Sequence, residues 1–174
     1  MHVTLRLAEG LPSLRRGREY RAVVRAFEGG REGEGFRLVH YSVQTNHLHL
    51  IVEGEGRAAL SRGLKGLSIR VAKALNRAWR RRGRVFGDRF HEHVLKTPRE
   101  VRNALRYVLE NARRHGARLR DRFDPFSSAR WFDGWRGLSA QRCAGLRLPV
   151  SAARSWLLRV GWRRHGLLTA ASSP

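Results

Sequence analysis

In the stretch "TNHLHLIVE", residues 45 to 53, His47 and His49 stand two residues apart. Side chains of an extended chain alternate, so His47, His49 and Ile51 share one face and Leu48, Leu50 and Val52 share the other. Two imidazoles at that spacing suit one divalent ion. They are equally what polar residues on the wet side of a strand look like. The run is otherwise apolar, which marks a central strand and favours the ion.

Metal chemistry needs further ligands and a nucleophile. Tyr107 and Asn111 are four residues apart. At ~100° per residue they stack on one flank of a helix's apolar stripe. A tyrosine there borders the sheet while its hydroxyl stays reachable, and Asn111 can offer an amide oxygen to the ion. The same position also suits an amphipathic tyrosine at the edge of a core. A second pair, His91 and His93 in "HEH", precedes this helix. No separate nucleophile accompanies it, so it reads as structural or facing nucleic acid. The single cysteine, Cys143, excludes an internal disulfide framework and a Cys-rich zinc site.

The substrate class follows from charge. The 174 residues carry 36 Lys and Arg against 14 Asp and Glu, a net +22. Such a surface attracts polyanions, of which nucleic acid is the commonest in the cytoplasm. Only Lys65, Lys73 and Lys96 are lysines. Arginine forks onto phosphate and stacks on bases. A GC-rich genome would explain arginine over lysine, but not the surplus of positive charge. A phosphodiester is a substrate whose cleavage a divalent ion assists.

No apolar run approaches the ~20 residues needed to span a bilayer. "MHVTLRLAEG" lacks the features of a signal peptide. The expectation is a cytoplasmic, nucleoid-associated protein that does not engage membrane. A strand starting almost at Met1 suggests missing upstream residues or a misassigned start.

The elements that must hold these residues are legible in outline. Val3, Leu5 and Leu7 alternate with polar residues and predict a strand. Tyr20, Val23, Val24 and Phe27 predict a helix face, closed by a flexible turn at "EGGREGEG". "FRLVHYSVQ" and "HLHLIVE", joined at Thr45-Asn46, predict a central hairpin. A long helix is predicted over residues 57–82, with Leu60, Leu64, Leu67, Val71, Ala74 and Ala78 apolar. Its basic stripe holds Arg70, Lys73, Arg77, Arg80 and Arg81. Residues 85–96 predict another strand. "TPRE", residues 97–100, is a capping box with proline at the first helical position. The helix it opens carries Val101, Leu105, Val108, Leu109 and Ala112 and ends near His115-Gly116.

The order strand, helix, strand, strand, helix, strand, helix predicts an α+β fold, a ferredoxin-like antiparallel sheet with helices. Residues 117–148 read as a loop-rich extension in which Trp131 and Trp135 cover the core rather than stack on unpaired bases. Residues 150–168 read as a short amphipathic helix and a basic turn.

"TNHLHLIVE", followed after a basic helix by "GRVFGDRFHEHVLKTPREVRNALRYVLEN", resembles the single-tyrosine HUH transposases, in particular the REP-associated tyrosine transposases. His47-Leu48-His49 matches the His-hydrophobic-His motif. Tyr107, Val108 and Asn111 match the "Y-[IV]-x-x-N" segment of the tyrosine helix. One departure follows it: "ARRHG" stands where family members often have Pro and "V-[RK]-x-G".

The resemblance covers about residues 2 to 116. It implies a catalytic domain, 1–116, and a basic extension, 117–174. It implies cleavage and rejoining of single-stranded or hairpin DNA through a 5′-phosphotyrosine on Tyr107, with Mg²⁺ or Mn²⁺ held by His47, His49 and Asn111. The basic stripe, with Arg113 and Arg114, would then position the DNA backbone. Two alternatives stay open: a hairpin-binding protein that no longer cuts, and a metal-dependent nuclease using water. A zinc deaminase is disfavoured because its paired cysteines are absent. Homodimer and monomer are both compatible with the sequence.

Overall fold

A computed structural model describes residues 1–87, 90–111, 121–138 and 148–170. β1 (His2–Arg6) leads to α1 (Gly17–Gly30), followed by β2 (Glu32–Gly33), β3 (Phe36–Val43) and β4 (His47–Gly54). Then come α2 (Arg57–Ala78), β5 (His91–His93) and α3 (Pro98–Leu109). A 3-10 turn (Ala129–Trp131), the short α4 (Trp156–Arg159) and a 3-10 helix (Gly161–His165) follow. The strands form one antiparallel sheet in the order β2-β3-β4-β1-β5. The α+β class expected from the sequence is the observed one.

β4 lies between β3 and β1 and is buried on both faces, as a central strand must be. Leu48, Leu50 and Val52 pack into one core with Val23 and Phe27 of α1 and Leu64, Leu67, Val71 and Leu75 of α2. Ile51 joins the opposite core, made with Val101, Leu105, Val108 and Leu109 of α3. The sheet therefore separates α1 and α2 from α3. A β-bulge between Leu38 and His40 of β3 lets Val39 join the α3 side while Leu38 and Tyr41 remain on the other. α2 crosses β3 closely at Gly63, where a Cβ would overlap the Phe36 ring.

Described residues between 129 and 138 and between 153 and 170 contribute further to the α3-side core. Ala129, Phe132, Trp135, Leu158, Trp162 and Leu168 are buried in it, and the Trp135 indole donates to the Ala129 carbonyl at 2.8 Å. Two polar anchors tie the C-terminal residues to the N-terminal part of the chain. Arg15 makes two 2.8 Å bonds to Asp124. The Glu53 carboxylate accepts from the backbone of Arg154 and Ser155, each at 2.8 Å, and from the Ser155 hydroxyl.

Several local expectations need correction. Within the segment read as a flexible turn, Glu32–Gly33 pairs with the start of β3. α2 stops at Ala78, not 82: Trp79 caps it, and Arg80 adopts φ 53°. Among the described residues, the strand expected over 85–96 reduces to β5 and a single bridge, Leu7 to Phe86. Ala104 joins Val101, Leu105, Val108 and Leu109 on the buried face of α3, and Ala112 lies outside the described residues. That helix closes on Glu110, and its expected end near His115 lies outside the described residues. Its start behaves as the sequence implies. Thr97 Oγ1 accepts from Glu100 N at 3.2 Å, while the Glu100 carboxylate accepts from Lys96 N at 2.7 Å.

Candidate active site

β4 presents both imidazoles beneath α3. Residues opposite in an antiparallel pair share a face. Arg6 stands opposite His47, Thr4 opposite His49 and His2 opposite Ile51. His49 is thus enclosed by β1 neighbours and is 4% exposed, whereas His47 near the strand's start is half-buried.

The outer nitrogen of each ring is engaged. His47 Nδ1 lies 2.8 Å from Asn46 Oδ1, an atom that only accepts, so Nδ1 carries the proton. His49 Nδ1 lies 3.1 Å from Thr4 Oγ1 and 3.2 Å from His2 Nε2. Burial, then the neighbouring N-terminal ammonium and His93, lower the His2 pKa to about 4. The His2 ring is therefore neutral near pH 7 and can accept a proton from His49 Nδ1. The Nε2 atoms of His47 and His49 then face each other, 3.0 Å apart.

α3 supplies the third group. The Tyr107 hydroxyl lies 3.4 Å from His49 Nε2, with the two rings edge to face at 5.0 Å between centroids. His2 also meets the Tyr107 ring edge-on at 5.7 Å. The His2 ring of β1 and the His49 ring of β4 thus both pack edge-on against the Tyr107 ring of α3.

Asn111 follows Glu110, the residue that caps α3. It is 0% exposed, and neither side-chain polar atom has a hydrogen-bond partner. A buried amide left unpaired costs about 1–3 kcal/mol, and such groups mark places where a ligand is expected.

These observations test whether the residues suit a divalent ion. A small hard ion with bonds of about 2.0–2.1 Å and near-octahedral angles needs adjacent donors about 3 Å apart. The two Nε2 atoms have that spacing. Among the described residues no group of three or more His, Cys, Asp or Glu side chains is arranged to hold a metal. A site here would therefore rest on the two imidazoles, completed by oxygens from substrate or water. The residues fit such a group.

The DNA-contacting residues expected on and just after α2 are not gathered at this point. Arg70, Lys73 and Arg77 are exposed on α2, across the sheet from α3, and Arg80 and Arg81 follow that helix. Arg113 and Arg114 lie outside the described residues, as does Cys143. His91 and His93 are exposed on β5, paired with Thr4 and His2 respectively.

Sequence reasoning passed over His2, Thr4 and Asn46 as supports of the imidazole pair. The alternation of His2, Thr4 and Arg6 on one strand face was visible. What it faced depended on strand register.

The geometry defines the class: an α+β sandwich whose central strand carries a His-Leu-His motif beneath a tyrosine-bearing helix. Among solved structures, the chain is similar to a REP-associated tyrosine transposase bound to a REP hairpin, with a TM-score of 0.60 and 20% identity. The likeness covers 72% of this chain and 73% of that one, and it shows a shared fold. No protein-family model matches the chain, and the search of curated proteins returned no match.

Proposed function

We propose that this chain is a DNA strand transferase of the single-tyrosine HUH kind, in the manner of the REP-associated tyrosine transposases, acting on single-stranded, hairpin-associated DNA. The observation that carries the reading is the Tyr107 hydroxyl 3.4 Å from His49 Nε2, itself 3.0 Å from His47 Nε2. The +22 charge and the fold shared with a hairpin-bound transposase support the substrate class.

Tyr107 Oη attacks the phosphorus of a phosphodiester. The P–Oη bond forms, the P–O3′ bond breaks, and the phenolic proton ends on the released 3′-hydroxyl. The DNA is left as a 5′-phosphotyrosine, and a second 3′-hydroxyl can reverse the step without ATP. A phenol ordinarily titrates near 10, so attack at neutral pH needs positive charge nearby. His47, His49 and Asn111 would hold Mg²⁺ or Mn²⁺, which supplies that charge and polarises the phosphoryl oxygen when bound. Asn46, Thr4 and His2 hold the imidazoles in the ligating tautomer. The His2 and His49 rings hold the phenol beside the imidazole pair.

Residues 1–116 form the catalytic unit in this reading. Residues 117–174 form a basic extension, of which Phe132, Trp135, Leu158, Trp162 and Leu168 pack on the α3 side of the sheet. The α2 stripe, on the far side of the sheet, binds backbone phosphates away from the scissile bond. The protein works in the cytoplasm, at the nucleoid.

The test is to incubate the protein with hairpin-flanked single-stranded oligonucleotides and Mn²⁺, then denature it. A covalent protein–DNA adduct that Tyr107→Phe abolishes supports the reading. Free cleaved DNA that survives Tyr107→Phe would mean a water nucleophile. A shifted complex with intact DNA would mean a binding protein.

A further inference from the structure

The pairing of His2 with His93 sets β5 beside α3 and leaves a cleft of about 570 Å³ between them. Its volume falls in the range of roughly 300–1,000 Å³ usual for small-ligand sites. Leu95 and Ala104 give it an apolar floor, and His93, Asn103, Arg106 and Tyr107 give it polar walls. The Tyr107 of the candidate active site is thus also a wall of this cleft. Whatever sits there lies beside the reacting phosphate.

The Asn103, Arg106 and His93 side chains are available for a ligand. The Asn103 amide makes no hydrogen bond to a described residue. Arg106 uses Nε on Glu110, at 3.2 Å, and its two Nη groups make none to a described residue. His93 is exposed on β5. Glu100, at one end of the cleft, is occupied by the start of α3. An amide offers a donor and an acceptor side by side, the pattern that recognises a base edge. An imidazole gives a flat face for stacking, and a guanidinium suits phosphate.

We propose that this cleft is a nucleotide subsite. It takes the base of one of the two nucleotides that share the scissile phosphate, with Asn103 on the base edge, His93 on its face and Arg106 on the adjoining backbone. The subsite rests on the strand-transfer reading, and it makes base identity at the cut a property of residues 93–106.

The test uses full-length Tyr107→Phe protein, which leaves DNA intact, and a hairpin-flanked single strand. The base is removed at one position at a time and affinity is measured at fixed salt. The expected result is one position where base removal weakens binding at least tenfold, and less than twofold in His93→Ala and Asn103→Ala. Both replaced side chains are exposed, and unchanged thermal melts check that the variants fold. No such position, or one whose effect survives both substitutions, overturns the subsite.

Mapping the adduct made by the unaltered chain separates the two ideas. An adduct whose cut lies away from the sensitive base sinks the subsite and leaves strand transfer standing. A sensitive base that depends on the cleft, with no adduct, sinks strand transfer and leaves a single-strand-binding cleft.

Discussion

His2 on β1 places Nε2 3.2 Å from Nδ1 of His49 on β4. Thr4 Oγ1 reaches the same nitrogen at 3.1 Å. Partners behind a ligating imidazole typically change metal affinity about 10–100-fold when removed. His2→Ala with Thr4→Val should weaken Mn²⁺ binding by that order, read by titration calorimetry. Tyr107→Phe should leave the same affinity within about twofold, since the phenol is not among the proposed ligands. Equal affinity in the double variant would dismiss the supporting role.

Asn111 is buried with both polar side-chain atoms unpaired. Without metal, Asn111→Leu should stabilise the fold by about 1 kcal/mol, because the desolvation cost of the amide disappears. With metal present the sign should reverse, because the variant loses most of the ion's stabilising shift. Urea unfolding with EDTA and with Mn²⁺ gives both numbers. A variant less stable than the parent under both conditions points to packing instead.

Burial lowers the His40 pKa to about 4, with Asp133 pulling the other way. Its ring sits against Phe132, and Nδ1 is 3.2 Å from Ser128 Oγ. The unfolded chain then binds this proton near pH 6.5 and the folded chain only near 4. Stability from the neutral ring is full above about 6.5 and declines as pH falls towards 4. His40→Gln should lose about 2 kcal/mol less than the parent between about pH 7 and 4.5, at ~1.4 kcal/mol per pH unit before solvent screening. Parallel pH profiles of denaturant midpoint would contradict this.

Glu53 joins the end of β4 to residues 154 and 155. Burial pushes its carboxyl up, but the Ser155 hydroxyl, the Arg154 and Ser155 amides and Arg37 outweigh that and hold it below the usual range. Glu53→Gln should cost about 1–3 kcal/mol, because buried donors lose acceptors. Limited proteolysis should then cut first in the C-terminal segment. The loss should shrink as pH falls through the lowered titration range of the parent's own carboxyl, because protonating it removes the same charge. Uniform protection of that segment would refute the anchor.

Arg70, Lys73 and Arg77 lie across the sheet from Tyr107. If they hold distant phosphates, replacing all three with Gln should lower DNA affinity. The slope of log affinity against log salt should fall by about 0.7–0.9 for each phosphate no longer neutralised. The rate of adduct formation at saturating DNA should not change. A slower rate with an unchanged salt slope would tie the stripe to the chemistry instead.

Local signals determined much of this protein. The alternation in "HLHLIVE" put His47, His49 and Ile51 on one strand face, and the structure has them there. Thr97, Pro98 and Glu100 set the start of α3, because capping satisfies amides within one turn of chain. The hairpin at Thr45-Asn46 and the amphipathic face of α1 were legible for the same reason. Each depends on residues a few positions apart.

Other features were decided only when distant segments met. Strand register placed His2 and Thr4 behind His49, although 45 to 47 residues separate them in the chain. The layer division set α2 against α1 and away from α3. Periodicity shows that a helix has an apolar face, but not which side of a sheet buries it. β5 is three residues long although residues 85–96 are rich in strand-forming types, because an edge strand extends only where its neighbour offers a ladder. The cleft beside Tyr107 belongs to the same category: its walls come from β1, β5 and α3, and only their packing brings them together.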